Sequence, residues 1–220
     1  MIIELDRKNF FMLNWLDEFL SGHKGFVCGG CFKNIFNNEK VKDLDIFFRN
    51  IEEWNKAVIY FDERTIGYED YDCGPLTEED AEYRFYYENK KVKAYKHLKS
   101  GKVIELCKSV FGTPEEVISN FDFTITKFAY YKEEVKEENG ETHIEDKIVC
   151  DENFFEHLHL KRVVIDDKIP FPMSTFERVL RYAKYGYFPC KETKIKLAKA
   201  IKEMDNVAIE VSDSLYDGMD

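Results

Sequence analysis

Apolar positions along the chain fall into short alternating runs divided by turn residues, with helical spacing in several stretches. Residues 8–21 carry apolar side chains at helix spacing and stop at Gly22. GFVCGG predicts a short strand entering a glycine turn, Phe32 to Asn38 predicts a helix, and KDLDIFF alternates sides like a strand. A helix is expected over residues 51–61, and a loop over the acid-, Gly- and Pro-containing stretch 69–80. From Tyr83 to Val110 strand-like runs are broken at Glu88-Asn89 and at Ser100-Gly101. FDFTITKFAYY predicts a strand, followed by a hairpin turning at Asn139-Gly140. From Ser174 the spacing is helical, with a break at Pro189, and the acidic tail from Asp205 has little periodicity. The layout is a mixed α/β body over residues 1–170 followed by a short helical C-terminal extension over 171–220.

Composition narrows this picture. The chain has 220 residues, 44% hydrophobic and 15% aromatic, enough for a packed core and unlike a disordered chain. No apolar run approaches the ~20 residues that span a bilayer, and MIIELDRKNFF has no basic segment leading into a long apolar one. A cytoplasmic protein with no membrane partner is expected. The six cysteines are expected as reduced thiols. Cys28 and Cys31 have CxxC spacing, but no second pair at similar spacing completes a structural zinc site.

A net charge of −11 argues against a generally basic nucleic-acid binder, and no DNA duplex is expected as a partner. Charge is uneven, however. Between Lys161 and Lys202 there are eleven Lys or Arg against four acids, compatible with a local polyanion contact or with a solvated Lys-rich helix.

Candidate chemistry lies between Phe26 and Phe47. Asp43 and Asp45, at i and i+2 on a strand, point to one face, with Leu44 and Ile46 on the other. Two uncompensated carboxylates so close repel each other, and a pair of divalent cations removes that cost. Hard oxygen ligands of this kind suit Mg²⁺ or Mn²⁺ bridging a phosphate and an attacking hydroxyl. Gly29 and Gly30 precede the helix, where a backbone free of side chains lets phosphate groups approach. A third carboxylate, Asp122, is expected inside an apolar strand, where a lone acid is costly unless it binds something.

GGCFKNIF followed by VKDLDIFF resembles the head-domain signature of DNA polymerase β-like nucleotidyltransferases, in the branch of class II tRNA CCA-adding enzymes and bacterial poly(A) polymerases. DFTITKFAYY is similar to that branch's R-R-D-F-T-x-N-A-x-x-Y motif, and TFERVLRYAKYGYF to its E-D-x-x-R-x-x-R-x-x-R-F helix. The resemblance implies an α+β fold, a minimal mixed sheet with helices on one face. It also implies a metal-dependent enzyme that moves a nucleoside monophosphate from a nucleoside triphosphate to an acceptor hydroxyl. Asp43, Asp45 and Asp122 would be the catalytic metal ligands, with Gly29, Gly30, Lys33, Arg178, Arg181 and Lys184 as nucleotide contacts.

Departures from the pattern limit what carries over. Lys33 and Asn34 replace Arg and Asp, Asn120 and Phe121 replace two arginines, and Ser174 and Thr175 replace the Glu-Asp pair. The Asp of that pair reads the incoming base in CCA-adding enzymes, so ordered C-C-A addition is not implied. The acceptor is a protein, a small molecule or an RNA (tRNA) end. A catalytically silent nucleotide- or partner-binding module with the same fold is the alternative.

Overall fold

A computed structural model describes residues 1–70, 74–137, 140–166 and 169–204. Cys73 and the acidic tail from Asp205 lie outside the described residues, as does Asn139 of the expected hairpin turn. The chain forms two compact units, with bounds other than the 170/171 division. One holds Met1–Asn120 and Lys127–Cys150; the other holds Phe121–Thr126 and the chain from Asp151 onward.

The first unit opens with β1 (Ile2–Glu4) and then two 3₁₀ turns, Arg7–Asn9 and Phe11–Leu16, running into α1 (Asp17–Leu20). The expected helix over 8–21 is therefore mostly 3₁₀. It ends where expected, because Gly22 adopts φ +78° directly against α3 (Ile51–Asp62). A Cβ on Gly22 would stand 1.9 Å from Tyr60 Cε2. Gly22→Ala is expected to destabilise the protein by at least ~1–2 kcal/mol from its left-handed backbone alone, with the Tyr60 clash added. Thermal denaturation measures this as a lower melting temperature.

The sheet continues with β2 (Phe26–Cys28), then α2 (Cys31–Phe36), β3 (Asp43–Phe48) and, after α3, a small β4 (Glu69–Asp70) and β5 (Gly74–Pro75) pair where a loop was expected. β6 (Tyr83–Glu88), β7 (Val92–His97) and β8 (Val103–Phe111) break where the sequence broke them. α4 (Pro114–Ser119) starts with a capping box in which Thr113 and Glu116 each take the other's backbone N–H. β9 (Phe128–Lys136) and β10 (Thr142–Asp151) form the expected antiparallel hairpin.

Eight strands lie in the order β1-β10-β9-β2-β3-β8-β7-β6, with β3 and β8 parallel. α3 covers the apolar face. Phe61 stacks on Tyr95 at 5.2 Å, and the Trp54 indole N–H donates to the Leu106 carbonyl at 3.1 Å. Leu44, Ile46, Ile104 and Leu106 share that face and are fully buried. Helices are not confined to one side, since Glu115 of α4 meets the Tyr131 hydroxyl, and Tyr131 lies on the opposite face by strand alternation.

The second unit contains a 3₁₀ turn at Thr124–Thr126, α5 (Phe154–His159), β11 (Arg162–Val163), α6 (Pro172–Lys184), β12 (Phe188–Pro189) and α7 (Lys191–Lys202). β11 and β12 pair in parallel, and the Thr193 hydroxyl donates to the Val163 carbonyl at 3.0 Å, tying α7 to that small sheet. Phe123 meets Tyr182 of α6 edge-on at 5.2 Å. Thus the helical extension is part of a small mixed unit with its own strands and core.

Candidate active site

β3 carries the acids of the first unit. Asp43 opens the strand, and Asp45 sits level with Cys28 of β2 on one side and Glu105 of β8 on the other. Because paired residues share a face, Asp43, Asp45 and Glu105 all project from the side opposite α3. Asp45 is hydrogen-bonded to Glu105, and burial, reinforced by the charges of Glu105 and Asp43, pushes its carboxyl up to about 8. Burial also raises the carboxyl of Asp43, partly offset by Lys42. The Tyr87 hydroxyl donates to Glu105 Oε1 at 2.7 Å.

Neither Asp45 nor Glu105 has a Lys or Arg within ion-pair distance among the described residues. Asp45 and Glu105 are thus crowded together and partly withdrawn from water without an ion-pair partner, while Lys42 attends Asp43. Among the described residues, however, no group of three or more His, Cys, Asp or Glu side chains is arranged to hold a metal ion. Cys28, Cys31 and Cys107 lie around Asp45, each a buried thiol whose pKa burial raises, so they are held neutral.

Gly29 takes φ +94° and donates its N–H to the Phe128 carbonyl, so the glycine turn forms as expected ahead of α2. Lys33 differs from its expected role. It is 5% exposed, its ammonium meets Glu39 Oε2 at 3.0 Å and it also donates to Asn34 Oδ1. This ammonium secures the end of α2 through Glu39.

Asp122 also differs. It precedes the Thr124–Thr126 turn, outside any strand, and belongs to the second unit. Its Oδ2 accepts the Thr175 hydroxyl at 2.7 Å and meets an Arg178 NH₂ nitrogen at 2.6 Å. Thr175, which replaces the family's base-reading Asp, is fully buried and spends its hydroxyl on Asp122. Arg178 keeps one buried Nε–H without a partner among the described residues. Arg181 and Lys184, about one and two turns further along α6, are exposed.

Glu105 is the residue that the sequence reading missed. Its only signal is a charged position inside the β8 run, and its meaning depends on the β3–β8 register. The structure brings together Asp43, Asp45 and Glu105 in one unit, and Asp122, Thr175 and Arg178 in the other.

The likeness to solved structures gives this chain a polymerase β-like nucleotidyltransferase fold. The structure of a CCA-adding enzyme with CTP matches with a TM-score of 0.61 at 16% identity, over 99% of this chain and 50% of that one. A CCA-adding enzyme with ATP matches with a TM-score of 0.56 at 16% identity, over 99% and 51%. The Thermotoga maritima CCA-adding enzyme complexed with tRNA matches with a TM-score of 0.53 at 15% identity, over 98% and 50%. The chain therefore spans about half the length of these structures. Residues 6–161 match the model of the Gabija anti-defense 2 (Gad2) family, and the chain belongs to that family. No curated protein matches the sequence. Among the described residues no helix is long and apolar enough to cross a membrane.

Proposed function

We propose that this chain is a divalent-metal-dependent nucleotidyltransferase, moving a nucleoside monophosphate from a nucleoside triphosphate to an acceptor hydroxyl without a template and releasing pyrophosphate. The observation that supports it best is the Asp43–Asp45–Glu105 row on one face of β3 and β8, whose central carboxyl is pushed up by burial beside two other acids. Carboxylate oxygens suit Mg²⁺ or Mn²⁺; Asp43, Asp45 and Glu105 project from one face without being gathered for an ion, and they would hold one only after their side chains turn toward it. When bound, such an ion supplies neutralisation of charge on phosphate oxygens. Without the ion, Asp45 and Glu105 share a proton through their hydrogen bond, which metal binding would displace; the Tyr87 hydroxyl, donating to Glu105, holds that side chain in either state. In the first unit, Gly29 and Gly30 of the turn ahead of α2 are the proposed approach for a phosphate. In the second unit, taken by itself, Arg178, Arg181 and Lys184 of α6 are proposed as anion contacts. Asp122 takes the part of a positioning residue for Arg178.

The family's description as Gabija anti-defense makes countering that defence the proposed setting of the activity; a cytoplasmic site of action and a protein, small-molecule or RNA-end acceptor are parts of the same proposal. A second reading, a silent nucleotide- or partner-binding module, is favoured by the lack of a preformed three-ligand metal group among the described residues.

One experiment separates the readings. The protein is incubated with each α-labelled nucleoside triphosphate, Mg²⁺ and a mixture of cellular RNA and protein. The enzyme reading expects label on one acceptor class and none with Asp45→Asn. Binding of nucleotide without any labelled acceptor, and without stabilisation by Mn²⁺, supports the silent module.

A further inference from the structure

Two adjoining cavities, of about 260 and 380 Å³, open beside Asp43 at the entrance to β3 and the β7–β8 turn. Four lysines line the first: Lys40, Lys42, Lys96 and Lys102. The sheet register explains part of this convergence. Asp43 pairs with Val103, and Val103 pairs with Lys96, so Lys96 and Asp43 stand in one row on the acidic face. Lys102 enters β8 from the β7–β8 turn, and Lys40 and Lys42 lie on the segment that enters β3.

Among the described residues none of these cations is held in an ion pair, although Lys42 lies near enough to Asp43 to ease its ionisation. By contrast, Lys93, Lys108, Lys132 and Lys147 elsewhere on the sheet each have a carboxylate within ion-pair distance. Glu39, on the wall of the second cavity, is already held by Lys33. Four like charges sharing one hollow repel each other, in a chain whose net charge of −11 offers ample acid for pairing. A bound polyanion relieves that repulsion. Aromatic surface accompanies the charge. Tyr86, 55% exposed, borders the first cavity, and Trp15 borders the second with Lys102 Nζ 5.0 Å above its ring. Cationic walls with one exposed ring, Tyr86, and one half-buried ring, Trp15, in a hollow of a few hundred cubic ångströms suit a phosphate joined to a base.

We propose that this lysine-lined cleft is an anion-binding site, separate from the triphosphate contacts, that takes the phosphate of a nucleotide-type acceptor and brings its sugar hydroxyl to Asp43. The word acceptor rests on the nucleotidyl-transfer reading; the anion site does not. A free nucleotide and the end of a single strand share this chemistry.

The test is equilibrium binding to the full chain without Mg²⁺ or triphosphate. The probe is a fluorescein-labelled six-nucleotide single-stranded RNA, with AMP as competitor. The Lys96→Gln/Lys102→Gln double variant is expected to bind the RNA at least about tenfold more weakly, and its salt dependence to be shallower by about one to two in log–log slope. Its Mg²⁺-dependent affinity for nucleoside triphosphate is expected to stay within about twofold of the parent. Lys96→Gln alone, an exposed strand position, repeats the test with little risk to folding. Displacement by AMP at concentrations comparable to unlabelled RNA identifies a free nucleotide as ligand; displacement by the RNA alone identifies a strand. Unchanged RNA binding in both variants overturns the site, and so does an equal fall in triphosphate affinity, which would make the cleft the triphosphate site. Absence of any nucleotidyl transfer while this binding persists counts against the catalytic reading alone.

Discussion

Asp45→Asn is expected to lower nucleotidyl transfer by on the order of 10³-fold or more while making the metal-free protein more stable at neutral pH. Both effects come from one carboxylate. Asp45 sits between Cys28 and Glu105 in the sheet register, withdrawn from water, with Asp43 two positions away. A cation brings these acids together favourably; without one, they resist ionising together. Burial therefore pushes the Asp45 carboxyl up to about 8, whereas an unfolded chain ionises it near its ordinary value of roughly 4. Between those values the folded state holds a proton that the unfolded state has released. Linkage then requires the stability of the metal-free protein to fall as pH rises from about 4 to about 8.

Asn keeps a hydrogen-bonding group opposite Glu105 and has no charge to bury, so the variant should lack this part of the pH dependence. Melting temperatures at pH 5, 6, 7 and 8 without metal, beside transfer rates with Mg²⁺, measure both effects. Near-parental turnover in Asp45→Asn would sink the metal-dependent mechanism. A flat stability profile in the parent would show that Asp45 ionises freely, and that the register-paired cluster is not the strained site described here.

Asp122→Ala is expected to destabilise the protein by about 2–4 kcal/mol. Asp122 accepts both the fully buried Thr175 hydroxyl and the Arg178 guanidinium on one oxygen. Removing the carboxylate leaves a buried hydroxyl without its acceptor and a half-buried cation without its counter-charge. Arg178 is partly solvated, which keeps the cost in the lower part of the range for breaking a buried pair. Urea denaturation gives the value. Arg178→Ala in the Asp122→Ala background should add little, because the pair is already broken, and the coupling from the double-mutant cycle is the test of the pair. Asp122→Asn should recover part of the loss by keeping an acceptor for Thr175. A different result would restore the metal-ligand role expected from the motif: full stability in Asp122→Ala, together with weakened Mn²⁺ binding.

Much of the local structure was legible in the sequence because strand alternation, glycine turns and helix spacing are properties of neighbouring residues. The interruptions at Glu88-Asn89 and Ser100-Gly101 divide β6, β7 and β8 where the chain divides them. The period of two put Asp43 and Asp45 on one face before any partner strand was known. DFTIT was misread as strand for the same local reason. Its apolar and β-branched composition suits a strand, but Thr126 caps a 3₁₀ turn by donating to the Phe123 carbonyl, and the strand begins only at Phe128.

Other features depend on which distant segments become neighbours, and only the tertiary structure decides that. Glu105 becomes the companion of Asp45 through a parallel register across sixty residues of chain, for which no local pattern is a guide. Lys33 looks like an exposed helical cation until Glu39 folds back to neutralise it. Thr175 exchanges base reading for support of Asp122, a residue more than fifty positions earlier. Lys40, Lys42, Lys96 and Lys102 are unremarkable one by one along the sequence, and pairing of β3, β8 and β7 collects them around one cleft. Periodicity determines which face a side chain takes; register determines what stands beside it, and the strength of charges and hydrogen bonds depends on that neighbour.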